Sequence, residues 1–412
     1  MVVLVNSNRL TIESFLSRFE MNGSGSSEIF ILPSDRHSLE ENLRLSWKWL
    51  KYTGLHPNLL LITVDQHRWS STVRFLFTIF ILLLILGYGV YQVVQLVIRS
   101  WKVEKMVETV PNVTCTIFLL YVIASQCLVW MKRKKIVELF KDWKQIELQS
   151  KCSHVTETKT MINLLFNGVL FSIICNIPMF FAWNVMEPER TFFLSHYSVV
   201  REMFGLYAVC TVNTFVLTYN AMLYICSFFL PIIFFNHVTL IIGSLTEEWD
   251  ARLRNEEYLR FIWRKYEKIV DLVDRGNECF GAILSIQHLV FVSYICLSVF
   301  YSMQQVGNST MIFCLCFFGS IGSGISLYGY NWLLSQLYFS TKKLQKSIAD
   351  ALTRDWYKLG ETGRHLHGSF LARLDKGGPA VCPLNLFIVC PSNLLSMLGV
   401  IMNYLVVLVQ SR

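Results

Sequence analysis

Phe75 to Ile98 is a run of 24 residues without a charged side chain, "FLFTIFILLLILGYGVYQVVQLVI". About 20 apolar residues in a helix cross the hydrocarbon core of a bilayer. In that core the backbone can satisfy its own hydrogen bonds only as a helix or a closed barrel. The run therefore reads as a membrane helix, and such runs recur. With Arg74 taken as the first boundary, the spans are 74–98, 111–130, 161–183, 204–235, 280–303, 311–332 and 384–410. Charged residues are only 16% of the chain, against about 25% in soluble domains. Mean hydropathy is +0.43. The expectation is an all-α membrane protein with seven transmembrane helices.

The connections alternate in charge. Residues 1–74, 131–160, 236–279 and 333–383 hold 31 of the 37 Lys and Arg residues, and the other connections hold 6. Basic connections stay in the cytoplasm, so the N-terminus is expected inside and the C-terminus outside. "MKRKK" after the second span is the strongest anchor. A G-protein-coupled receptor needs the opposite orientation. Two glycosylation signals, at Asn308 and Asn112, fall on the outer side, whereas the Asn22 signal falls inside. No removable signal peptide is evident. Division by position gives a cytoplasmic N-terminal segment (1–73) and spans one to six with their extensions (74–332). A cytoplasmic linker with an anchor helix (333–383) and the seventh span (384–412) complete the chain.

Two inner segments carry helical periodicity. Within 246–275, Tyr258, Ile262, Tyr266, Ile269 and Val273 recur at three- and four-residue spacing. Within 335–359, Leu344, Ile348, Leu352, Trp356 and Leu359 do the same. Each has a polar back face. One such helix suits a membrane surface, but two continuing from neighbouring spans favour a packed cytoplasmic anchor domain. Leu344, Ile348, Leu352 and Trp356 are its candidate seam between subunits.

In the last span, Ser396, Gly399, Asn403, Val406 and Gln410 fall on one helix face. The opposite side is apolar. Small residues make packing seams between membrane helices, but buried amides need partners. A packing seam and a water-facing pore stripe both fit the physics. One stripe cannot enclose a pore, so the second reading needs several copies around an axis.

The ending "NYLVVLVQSR" resembles the seventh-span signature of insect gustatory receptors: Thr-Tyr, five apolar residues, then Gln-Phe. Tyr404 and Gln410 match it, Asn403 replaces the Thr and Ser411 replaces the Phe. The stretch "HGSFLARLDKGGPAVCPLNLFIVCPSNLLSMLGVIM" resembles the family's approach to that helix, and Gly54 and Pro57 fit its region before span one. The resemblance implies a tetrameric, ligand-gated, non-selective cation channel in the plasma membrane of sensory neurons. Its seventh helices would line the pore, its inner helix ends would form the anchor, and its ligand would be a small organic tastant. It implies lipid, permeant cations and other gustatory receptor subunits as partners, with no cofactor.

Depth alone suggests a pocket in the outer halves of spans two to six, from Leu119, Asn176, Phe180, Trp183, Tyr207, Thr211, Tyr294 and Phe317. Apolar and aromatic walls with a few polar groups suit a small organic ligand. Gln287 and His288 are intramembrane polar residues, for which an interhelical hydrogen bond is the simpler expectation over a functional site. "GSIGSG" at 319–324 lacks the Lys-Ser or Lys-Thr of a phosphate loop. The twelve cysteines lie mostly in apolar runs and form no CxxC pair, and His365 and His367 have no neighbouring ligand set, so no metal is expected. With a bilayer as solvent, the net charge of +8 needs no nucleic acid to explain it. No nucleophile–base pair supports an enzyme. A seven-span transporter or a G-protein-coupled-type receptor that forms no pore is the alternative.

Overall fold

The computed structural model describes residues 106–148, 198–251, 256–305, 310–355 and 359–410 except 376. It also describes residue 357 and single positions between 76 and 94 and between 167 and 186. The N-terminal segment, Asn308 and most of spans one and three lie outside the described residues. The side chains of Leu119, Asn176, Phe180, Trp183, Leu352 and Trp356 do as well.

The fold is all-α, with no strand among the described residues. In chain order the helices are α1 (Met106–Met131), α2 (Arg133–Leu148), α3 (Ser198–Phe204), α4 (Leu206–Ala251), α5 (Glu256–Gln305), α6 (Thr310–Asp355), α7 (Glu361–Asp375) and α8 (Pro391–Gln410). A 3-10 turn, Pro383–Asn385, precedes α8. The 246–275 stretch, one helix by periodicity, is divided between the end of α4 and the start of α5.

Helices α4, α5 and α6 have 46, 50 and 46 residues. Each is roughly 70 Å long, about twice a bilayer core. An apolar half of each suits the membrane and the other half must pack beyond it. The chain enters α4 through Gly205, whose φ of +80° lies where only glycine is unstrained. Gly205 N–H closes α3 on the Arg201 carbonyl at 2.9 Å, and α3 and the first part of α4 meet at 113°.

The densest packing lies around the second half of α4. Leu230, Ile232, Ile233, Phe234, Phe235, Val238, Ile241, Ile242 and Leu245 are fully buried. A helix apolar all round needs cover on every side, and α2, α5 and α6 supply it. Phe234 meets Phe140 of α2 at 5.9 Å and Phe280 of α5 at 5.7 Å. Gly276 makes this approach possible, because a Cβ there would stand 2.4 Å from Phe234 Cε1.

The periodic residues of the two inner segments close on α7 rather than lying on a membrane. Ile262, Tyr266, Ile269 and Val273 are fully buried, and Phe370 of α7 meets the rings of Trp263 and Tyr266, both at 5.4 Å. Leu344 and Ile348 are also fully buried inside the single chain. This corrects their reading as a seam between subunits, since a side chain sealed in its own core has no surface left for a partner. Periodicity identifies a face that is covered, but not by what.

The helix of the last span begins at Pro391, not at 384. Leu384 and Asn385 have φ of 48° and 58°, and Val389 N–H turns back to the Val381 carbonyl at 2.9 Å. Proline fits the first helical position, while the residue before it is driven out of helical geometry.

Candidate functional site

Helix α8 touches the rest of the chain along a narrow seam. Ile401 is buried, and Met397 and Leu405, one turn to either side, are half-buried. Ser396, Gly399, Asn403, Val406 and Gln410 are all exposed. So are Leu395, Leu398, Val400, Met402, Tyr404 and Val407. The apolar seam thus faces the chain's own bundle and the amides face away from it. An amide facing hydrocarbon without a partner costs several kcal/mol, on the order of 2–7, so Asn403 and Gln410 demand water or another polar surface.

The lead-in to α8 is fastened to α5. Asn277 Nδ2 donates to the Ala380 carbonyl at 2.9 Å, and its Oδ1 accepts from Cys382 N–H at 2.9 Å. One side chain thereby replaces a strand-like pair of backbone partners. Gly281, one turn on, lets the segment lie flat on the helix, since a Cβ there would stand 3.0 Å from Leu384 N. Thr341 Oγ1 of α6 holds the same segment through the Pro379 carbonyl at 3.1 Å.

Inside the bundle a chain of rings crosses four helices and ends at that lead-in. Tyr121 of α1 meets Tyr224 of α4 at 5.3 Å. Tyr224 stacks on Phe228 one turn along, at 6.3 Å, and Phe228 meets Tyr330 of α6 at 5.0 Å. Tyr330 meets His288 of α5 at 5.3 Å, and His288 meets Phe387, four residues before α8, at 5.3 Å. Such ring pairs are worth about 0.5–1.5 kcal/mol each beyond area burial. Polar bonds fix the frame: His288 Nε2 lies 2.8 Å from Asn331 Oδ1, His288 Nδ1 lies 2.7 Å from the Leu284 carbonyl, and Gln126 Nε2 donates to Ser227 Oγ at 3.1 Å. His288 is thus bonded between helices, as the sequence led one to expect. Gln287 is not: it is fully buried, and neither end of its amide has a hydrogen-bond partner among the described residues.

The pocket residues read from depth are scattered. Tyr207 and Phe317 are 68% and 42% exposed, so neither is enclosed by its own chain. Thr211 is exposed and donates to the Tyr207 carbonyl at 2.8 Å. Tyr294 is half-buried. Asn112 stands in the second turn of α1. The buried polar and aromatic side chains lie elsewhere, at Tyr121, Gln126, Gln287, His288 and Tyr330, with Tyr224 half-buried against Tyr121.

A model of the seven-transmembrane chemosensory receptor family matches residues 43–412. The chain belongs to that family. The receptor also shares its fold with two solved structures of the insect olfactory receptor OR5 from Machilis hrabei. One matches with a TM-score of 0.60 at 12% identity, and the other, solved in complex with eugenol, with 0.63 at 15%. Each match covers 90% of the receptor and 100% of the OR5 chain. No curated protein sequence matches the receptor.

Sequence reasoning missed the Asn277 clamp and the ring chain of this receptor. Asn277 looks like an ordinary polar residue in a charged stretch, and its partners are backbone atoms more than 100 positions away. The rings are spread over four helices and the α8 lead-in, and aromatic residues are too frequent, at 14% of the chain, to single them out.

Proposed function

We propose that the receptor is a gustatory receptor subunit of a tetrameric, ligand-gated, non-selective cation channel in the plasma membrane of sensory neurons, opened by a small organic tastant. The observation that carries this is the orientation of α8. Its apolar seam is spent on its own subunit, and its amide stripe is turned outward, where a bilayer would penalise it. Four such stripes around an axis form a wet path, with Asn403 and Gln410 offering carbonyl oxygens to a cation in place of water. The charge asymmetry of the connections supports a cytoplasmic N-terminus and puts Gln410 at the outer mouth.

For the ligand, the likeness to a receptor solved with eugenol supports a small organic molecule. We place it against the Tyr121–Tyr224–Tyr330 cluster, whose ring walls and phenol hydroxyls suit such a ligand. The ring chain then supplies a packed route from the ligand through His288 to Phe387 and α8.

Cysteine scanning of α8 tests the reading. A charged thiol reagent applied from outside should modify channels with Cys at 399, 403, 406 or 410 and change their current. Channels with Cys at 397, 401 or 405 should be unaffected. The reverse pattern would make the amide stripe a packing seam.

A further inference from the structure

A cavity of about 720 Å³ opens between α2 and the first turns of α5, far along α5 from the ring chain. It lies on the side of the molecule that the charge asymmetry assigns to the cytoplasm. Its apolar wall includes Trp263 and the buried Ile146.

Its charges divide into two groups. The three carboxylates that line it are engaged with the protein's own cations. Asp142 pairs with Arg275 at 2.6 Å, Asp271 pairs with the same guanidinium at 3.0 Å, and Glu267 is held by Arg373 at 3.1 Å and by Trp263 Nε1 at 3.1 Å. Arg260, Arg264 and Lys268 also line the cavity and are exposed. No described carboxylate pairs with any of them. They stand at four-residue spacing, so they form one stripe with cations about 6 Å apart along the axis. Like charges at this spacing destabilise a helix; Glu267 and Asp271, three positions from Arg264 and Lys268, offset only part of that, because their ion pairs are made to Arg373 and Arg275.

We infer that this cavity binds a soluble, multiply phosphorylated anion. Three cations spread over about 12 Å exceed what one phosphate can engage, and they match a ligand with several phosphates. A phosphoinositide headgroup has the same chemistry, but depth argues against it. Lys268 lies 12 residues before Phe280, or about 18 Å below the apolar part of α5. The headgroup layer is only about 5–7 Å thick on each side. The inference shares the proposed orientation of the receptor but does not depend on α8 forming a pore.

The test uses the full-length receptor in lipid nanodiscs, with inositol hexakisphosphate as probe and direct calorimetric titration as readout. Arg260→Gln, Arg264→Gln and Lys268→Gln should each weaken binding about tenfold, and more in combination. The exposed pair Lys342→Gln and Lys343→Gln on α6 should leave it unchanged. Amide hydrogen exchange on the parent protein should slow in 142–146 and 260–271 when the anion is added, a readout free of any variant's folding. Equal affinity in the triple variant, or no binding by the parent, overturns the inference. Binding only to nanodiscs that carry phosphatidylinositol bisphosphate overturns the assignment to a soluble anion.

Discussion

The Asn277 side chain accepts a hydrogen bond from the Cys382 N–H at 2.9 Å. Its amide also donates to Ala380, so one residue of α5 holds both ends of the backbone step that leads towards α8. Asn277→Ala leaves a half-buried N–H and a half-buried C=O without partners, at a cost of about 1–3 kcal/mol each. The ligand-evoked maximal current is expected to fall while the amount of receptor at the surface changes less. Asn277→Asp keeps the acceptor for Cys382 and should recover part of the current. Whole-cell recording with surface biotinylation measures both quantities.

His288 and Asn331 offer a double-mutant cycle. Either single change to Leu strands a buried polar partner, whereas the double change removes both. The two single substitutions are expected to lower thermal stability by about 1–3 kcal/mol each, and the double substitution by less than their sum. Additive losses would show that the 2.8 Å contact contributes nothing of its own.

Ile348→Glu separates a core role from an interface role. A carboxylate placed in a fully buried site has no partner and costs several kcal/mol or more. The receptor is expected to be lost from the membrane, with little folded protein of any size. A stable monomer recovered by size-exclusion chromatography would instead restore Ile348 to a subunit interface.

Gly276→Ala puts a methyl group 2.4 Å from the Phe234 ring. Phe234 is packed between Phe140 and Phe280, so it cannot swing away freely. An overpacking cost of about 1–3 kcal/mol is expected, visible as a lower melting temperature of the purified receptor. Gly322→Ala, where a Cβ meets nothing within 4 Å, should leave that temperature unchanged or slightly raised.

Gln410→Arg tests the end of the polar stripe. In the proposed tetramer, four guanidinium groups around one axis would repel cations, so unitary conductance is expected to fall while the ligand concentration for half-activation stays within about twofold. An unchanged conductance together with a shifted ligand response would place Gln410 away from the ion path.

The solvent and the class of fold were legible from the residues alone. Uncharged runs of 20 or more residues are about twice the length of a barrel strand, which leaves helix as the spanning structure in a bilayer. Also legible were the faces of the extensions that must be covered, since Ile262, Tyr266, Leu344 and Ile348 repeat at helical spacing. Helical spacing is a local property, set by 3.6 residues per turn, and can be read without a partner in view. Tertiary structure alone decided what covers those faces. It put α7 against Trp263 and Tyr266, and it put Leu344 and Ile348 inside one chain instead of between two. It also brought Asn277 to Cys382 and His288 to Phe387, contacts between residues about 100 positions apart, whose registers depend on how long helices cross. The same holds for α8: the amide stripe was legible at once, but that it faces away from its own bundle follows only from Met397, Ile401 and Leu405 taking the inner side.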